Sequence, residues 1–222
     1  MNLLITGVHG FVGSNLVKAL SPEHIIYGLD IVAPEKEGVV RTYSWNDLDN
    51  PDFPRIDAVI HLAGKAHDTR NKSAADVYFK VNTGLTQKIF DWYLARPDAK
   101  KFIFFSTVKS AADRVDGEFL TEECVPTPVG PYGESKIEAE NYIIEKFAPK
   151  ALFRPFHNFD DGDSIVSGKR VYIMRPCMIH GPGNKGNLNL LYGVVSKGIP
   201  WPLGAFENRR SFTSVGNLCF VI

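Results

Sequence analysis

The chain has 222 residues, with 25 Lys+Arg against 25 Asp+Glu and no net formal charge. It is long enough to bury a core without staples, and it lacks the concentrated positive field of a nucleic-acid or anionic-membrane surface. Hydrophobic residues make up 44% and charged residues 23%, which is ordinary for a globular protein and argues against disorder as the dominant state.

Taken from the N-terminus, Asn2–Thr6 is a short apolar, β-favouring run that ends in glycine, and residues 11–20 carry Phe11, Val12, Leu16, Val17 and Leu20 at helical spacing. Ser21-Pro22 stops that helix and His24–Asp30 reads as a second buried strand, so the first thirty residues form a βαβ unit with parallel strands. The alternation continues with a strand at Ala58–Leu62 and a long amphipathic helix from Ala74 to Leu94. A strand at Lys101–Ser106, a helix from Tyr132 to Phe147 and a strand at Val171–Met174 complete it. Short apolar strands alternating with helices predict an α/β fold, a doubly wound parallel sheet covered on both faces. Two regions break the rhythm: a proline-marked polar loop over 111–131 and an acidic, glycine-bearing insertion over 149–170. After Pro176 the chain turns glycine- and proline-rich, with one helix around Leu188 to Lys197. The predicted division is 1–175, a dinucleotide-binding domain, and 176–222, the start of a substrate-binding part.

Cys124, Cys177 and Cys219 are odd in number and far apart, which argues against a disulfide framework or structural zinc site and for a reducing compartment. The N-terminus lacks the basic and apolar regions of a signal peptide, and no stretch approaches the ~20 apolar residues of a membrane span, so a cytoplasmic protein is expected. The six histidines (His9, His24, His61, His67, His157, His180) form no metal-ligand pattern, and no metal is expected. His61 reads as a packed core residue and Asp160–Asp163 as a solvated turn without calcium-loop spacing.

Chemistry concentrates in three places. Thr6-Gly7-Val8-His9-Gly10-Phe11-Val12-Gly13 lies between strand and helix: Gly7 permits a tight turn, Gly10 a close backbone approach to a pyrophosphate, and Gly13 close helix packing. The spacing is GxxGxxG, and the helix N-terminus faces the phosphates. Asp30 ends the second strand about 20 residues on, where it accepts from both ribose hydroxyls; a 2′-phosphate would meet a like charge, so NAD is expected over NADP. Tyr132-Gly133-Glu134-Ser135-Lys136 sets a phenol and an ammonium at i and i+4, where a nearby Lys⁺ favours phenolate. Ser106-Thr107 lies at the carboxyl end of a strand, where open parallel sheets bind ligands.

With these pieces placed, the sequence resembles the extended short-chain dehydrogenase/reductase family in its NAD-dependent nucleotide-sugar epimerase/dehydratase branch. The resemblance rests on TGVHGFVG (6–13), Asp30, Asn46-Asp47-Leu48, DAVIHLAG (57–64), Val81-Asn82-Thr83-Gly84, FFST (104–107), YGESK (132–136), Met174-Arg175-Pro176 and NRRSF (208–212), in order. It implies a Rossmann sheet and a cofactor site of Gly7, Gly10, Phe11, Val12, Gly13, Asp30, Ile31, Asp47, Leu48, Leu62, Ala63, Gly64, Asn82, Ser106, Tyr132, Lys136 and Pro176. Asp47 and Leu48 would contact adenine, and Leu62, Ala63 and Gly64 would line the cofactor channel. Tyr132 would be the catalytic base/acid, with Lys136 on the nicotinamide ribose and Thr107 in the place usually held by serine. Lys109, Asn187 and Arg210 would contact substrate. Three departures stand out: Met178 near a position often polar in the family, the insertion at 149–170, and a chain ending at Ile222, short of where members usually end, which predicts a truncated chain.

The expected function is a nucleotide-sugar epimerase acting on a UDP-hexose or UDP-N-acetylhexosamine through a transient 4-keto sugar, as a homodimer by family likeness. A 4,6-dehydratase is disfavoured because Val108 and Lys109 stand where that reaction's acid/base pair would be. A 4-ketosugar reductase and a non-catalytic dinucleotide-binding module remain as alternatives.

Overall fold

The structure, a computed structural model, describes residues 1–66, 74–115, 117–147, 168–184, 186–198 and 209–222. They form two compact units, Met1–Arg175 and Pro176–Ile222.

In the first unit β1 (Asn2–Thr6) leads through α1 (Phe11–Leu20) to β2 (Ile25–Leu29) and β3 (Arg41–Tyr43). β4 (Ala58–His61), α2 (Ala75–Tyr78), α3 (Leu85–Ala95), β5 (Lys101–Phe105), α4 (Gly130–Phe147) and β6 (Arg170–Met174) follow. Among the described residues the strands make one six-stranded sheet in the order β3-β2-β1-β4-β5-β6, every pairing parallel. That order reverses direction at β1, whose neighbours are β2 and β4, and so opens a crevice beyond the carboxyl ends of β1 and β4. The strands are apolar because both faces are covered: all four residues of β4 are buried, and so are the last four of β1. Leu4, Val59, Phe102 and Phe104 of the sheet pack with Ile89, Phe90 and Tyr93 of α3 and Ala139 and Ile143 of α4 in one core cluster.

Several elements differ from the sequence expectation. The helix expected over Ala74 to Leu94 is a composite, with six residues, Phe79–Gly84, wound as a π-helix between α2 and α3. The wider turn follows the polar side chains there: Asn82 and Thr83 are buried and bonded outward to other elements, not left on a solvated face. β3 has no counterpart in the sequence reading, since three residues carry too little pattern to register. Lys169 and Arg170, read with the insertion, belong with β6: Arg170 opens the strand, and the Lys169 ammonium, 8% exposed, donates to the carbonyls of Tyr93 and Ala99 at 2.9 and 2.7 Å. Residues 149–167 of the insertion reading, with Asp160–Asp163 and His157 among them, and His67 lie outside the described residues.

The second unit pairs β7 (Met178–His180) with β8 (Phe212–Ser214) in parallel and carries α5 (Asn187–Val195) and α6 (Val215–Val221). Ser214 caps α6 by accepting from the Asn217 N–H at 3.0 Å. No described helix is long and apolar enough to cross a membrane.

Candidate active site

The glycine turn occupies the crevice where the sheet reverses. Gly7 has φ +68°, and a Cβ there would stand 3.0 Å from the Ala63 nitrogen, so only glycine lets β1 close onto the chain leaving β4. Gly10 caps α1 with no side chain to accept from its first-turn N–H groups. A Cβ on Gly10 would meet only the Gly7 carbonyl oxygen, at 3.1 Å, while one on Gly13 would fall 2.5 Å from that same oxygen and 2.9 Å from Val8. The turn is therefore tight behind and open in front. Asp30 braces it: its carboxylate accepts from the His9 N–H at 3.1 Å and the Ile31 N–H at 2.8 Å. A bare helix N-terminus, a glycine at the point of approach and a carboxylate at the next strand end fit the diphosphate and ribose of a dinucleotide.

The structure brings the second strand end to this crevice. Thr6 Oγ1 accepts from the Leu62 and Ala63 N–H groups at 3.1 and 3.0 Å, and it lies 2.6 Å from His61 Nδ1. On the far side of the ring, His61 Nε2 lies 2.9 Å from Thr86 Oγ1, which donates to the Asn82 carbonyl at 2.6 Å. The Thr86 proton is thus spent on Asn82, so His61 donates from Nε2 and accepts at Nδ1. Burial, with the Lys136 charge behind it, holds this imidazole well below its usual pKa, and it stays neutral. His61 is a core residue, as expected, but one that ties β1, β4 and α3 together.

Asn82 is fully buried beside Gly64. Its side chain accepts from the Lys65 N–H at 2.7 Å and donates to the Lys65 carbonyl and to Ser135 Oγ at 3.1 and 2.9 Å, joining the loop after β4 to α4. The Lys136 ammonium also reaches this loop, 3.3 Å from where a Gly64 Cβ would stand.

At the end of β5, Thr107 caps a 3₁₀ turn over Val108–Ser110 and hydrogen-bonds the Tyr132 phenol. One expectation about charge is corrected here: the phenol's pKa is raised, not lowered. The Lys136 ammonium donates to the Phe105 carbonyl at 2.7 Å and lies 4.8 Å above the Phe104 ring. Burial is the main influence on Tyr132, pushing the phenol above its ordinary pKa against the lowering effect of Thr107. Burial likewise pushes the Lys136 ammonium down to about 8, although Glu140 opposes it.

The other expected residues have surroundings of their own. Leu48 is 3% exposed and packs in the core, and the neighbouring Asp47 carboxylate accepts from the Ser44 N–H at 2.7 Å, lowering its pKa. Ile31 is exposed, and Phe11 and Val12 are half-buried in the first turn of α1. Lys109 is exposed and paired with Asp113 four residues on. Pro176, Asn187 and Arg210 belong to the second unit; Arg210 is exposed and the Asn187 side chain is outside the described residues. The sequence reading missed Glu140 and Arg175 as site-forming residues. The signal for Glu140 was its place four residues beyond Lys136, on the same face of the helix.

A family profile described as the NAD dependent epimerase/dehydratase family matches residues 3–219. UDP-glucose 4-epimerase of Vibrio cholerae is 32% identical over 238 residues, covering all of this chain and 65% of that protein. GDP-6-deoxy-D-mannose reductase of Pseudomonas aeruginosa is 28% identical, covering 82% of this chain and 54% of that one. The chain therefore spans roughly half to two thirds of these relatives' length. Among solved structures, MoeE5 in complex with UDP-glucuronic acid and NAD superimposes with a TM-score of 0.73 at 22% identity, over 99% of this chain and 70% of that one, which shows a shared fold.

Proposed function

The chain belongs to the NAD dependent epimerase/dehydratase family, and from that premise we propose that it is a nucleotide-sugar 4-epimerase acting on a UDP-linked hexose or N-acetylhexosamine. The observation that carries this reading is the meeting of Thr107, Tyr132 and Lys136 at the carboxyl end of β5, with Lys136 alongside Gly64 on the rim of the crevice.

Gly7, Gly10, Gly13 and the N-terminus of α1 would hold the diphosphate of NAD, Asp30 the adenosine ribose, and Lys136 the nicotinamide ribose. NAD, when bound, supplies a hydride acceptor and donor. Tyr132 takes the proton from the sugar C4 hydroxyl and later returns it to the oxygen of the 4-keto sugar. Thr107 donates a hydrogen bond to the phenolate form and so lowers the cost of that proton transfer. Tyr132 is half-buried, and partial desolvation of the phenol strengthens the interaction. No carboxylate stands at Val108 or Lys109 to remove water from the sugar, which separates this reading from a dehydratase.

A second reading, a nucleotide-4-ketosugar reductase, is supported by the upward displacement of the Tyr132 pKa, which favours a phenol ready to donate to a ketone. It is also supported by the likeness to the Pseudomonas reductase. One experiment separates the two. The chain is incubated with NAD and UDP-glucose or UDP-galactose, and separately with NADH and a nucleotide-linked 4-keto sugar, while sugar interconversion and NADH are both followed. Interconversion without net NADH supports the epimerase. Stoichiometric NADH consumption, seen only with a 4-keto sugar, moves the assignment to the reductase; NAD binding with no turnover of any sugar overturns both.

A further inference from the structure

Glu140 lies four residues beyond Lys136 and eight beyond Tyr132 on α4, so the three side chains share one helix face. It is fully buried at 0% exposure. Its carboxylate accepts from the hydroxyl of Ser106 and from that of Ser110 at 2.6 Å. It also accepts from the Arg175 guanidinium, with Nε 3.1 and 3.0 Å from the two oxygens and Nη2 2.5 Å from Oε2. These donors come from separate elements: Ser106 follows β5, Ser110 ends the 3₁₀ turn, and Arg175 follows β6.

Stability does not account for the charge. A buried ion pair is often no more stable than apolar side chains of the same volume, although removing one partner is costly. What the network does is geometric. The single Ser110 hydroxyl proton is shared between two acceptors, the Glu140 carboxylate at 2.6 Å and the Thr107 carbonyl at 2.7 Å, and the Ser110 N–H also donates to that carbonyl at 3.0 Å. Thr107 in turn bonds Tyr132, two helical turns back from Glu140. The path Glu140–Ser110–Thr107–Tyr132 closes a ring through α4.

We infer that Glu140 is a positioning residue for the Thr107–Tyr132–Lys136 set, tying the ends of β5 and β6 to the helix face that carries the phenol and the ammonium. This rests on the reading of that set as the reactive centre. The carboxylate acts on Lys136 through charge as well, favouring the ammonium against the pull of burial. Among the described residues the titratable and charged groups around Lys136 include Tyr132 and Glu140 on its own helix, His61 on β4, Lys65 on the loop after β4 over the Tyr78 ring, Tyr78 of α2 through its contact with Tyr132, and Arg175 after β6 behind Glu140. β5 offers the Phe104 ring and the Phe105 carbonyl, neither of which titrates.

The test measures NAD affinity against pH by calorimetry, with thermal melting, for the wild-type chain, E140Q and E140Q/R175M. E140Q is expected to move the alkaline limb of NAD binding down by about 1 pH unit, because an ammonium without its carboxylate neighbour sheds its proton sooner. E140Q/R175M removes the guanidinium that E140Q alone would leave uncompensated, so it is expected to melt above E140Q while keeping the displaced limb. Limbs that stay in place, a double variant that regains the wild-type profile along with its melting temperature, or a wild type with no alkaline limb would each overturn the inference. Failure of both variants to fold would also overturn it, making Glu140 a determinant of folding alone. Since binding is read and not turnover, a wild type that binds NAD yet converts no sugar defeats the reaction assigned above without touching this one.

Discussion

Lys136 carries a conflict between stability and chemistry that a single substitution exposes. Its ammonium is pushed from an ordinary value near 10.4 down to about 8 by burial. Between those values the unfolded chain holds the proton and the folded chain does not, so folding stability rises with pH across that window; below pH 8 the whole penalty is present. The penalty is on the order of 3 kcal/mol, partly offset by the bond to the Phe105 carbonyl, worth about 1–2 kcal/mol if that buried group is left unpaired. Lys136→Met is therefore expected to stabilise the chain by about 1 kcal/mol at pH 7, a gain that shrinks as pH rises above 8, while NAD affinity falls at least tenfold. Thermal melting across pH together with NAD titration checks both, and a variant that melts lower at pH 7 contradicts the account. The residue pair was legible as Tyr132 and Lys136 at i and i+4, but its electrostatics were not. That spacing fixes a shared helix face and leaves open where a four-carbon side chain ends. The Phe105 carbonyl takes the ammonium because β5 runs directly beneath α4.

Two glycines of the turn between β1 and α1 have different physical duties. A methyl group on Gly13 would press into the backbone of Gly7 and Val8, which cannot yield without moving α1 off the sheet. A methyl group on Gly10 would meet one carbonyl oxygen at 3.1 Å, and φ there is −72°, a value open to any residue. Gly13→Ala is expected to destabilise the fold by about 1–3 kcal/mol. Gly10→Ala is expected to leave melting within a few degrees of the wild type, yet weaken NAD binding at least tenfold, because its methyl group projects where the diphosphate must approach. Equal losses of stability in the two variants would show that both glycines serve packing alone. The turn, its strand and its helix were readable because all three are local. The π-turn at Phe79–Gly84 was not, since apolar spacing in the sequence is the same for an α-helix and for one widened by a residue. What selects the wider turn is Asn82 reaching Lys65 and Ser135, partners 17 and 53 residues away.

At the scale of the molecule, the sheet order β3-β2-β1-β4-β5-β6 puts the glycine turn, Asp30 and the loop after β4 around one crevice. A ligand that binds only the folded chain adds RT ln(1 + [L]/Kd), about 2.7 kcal/mol at a hundredfold excess over Kd. NAD at that excess is expected to raise the melting temperature by several degrees and NADP at the same concentration by much less, because Asp30 would face the added phosphate; equal shifts would remove Asp30 from its assigned place. By itself the sequence determined the alternation of strand and helix, the glycine turn, Asp30 and the Tyr132–Lys136 pair, because each is written in periodicity or spacing over a few residues. Only the tertiary structure decided that Asn82 joins the loop after β4 to α4, that His61 is held as one neutral tautomer, and that Glu140 gathers donors from two strand ends. Those contacts join residues 17 to 55 positions apart, and pairing over that range is set by how the sheet closes, not by any local preference of the chain.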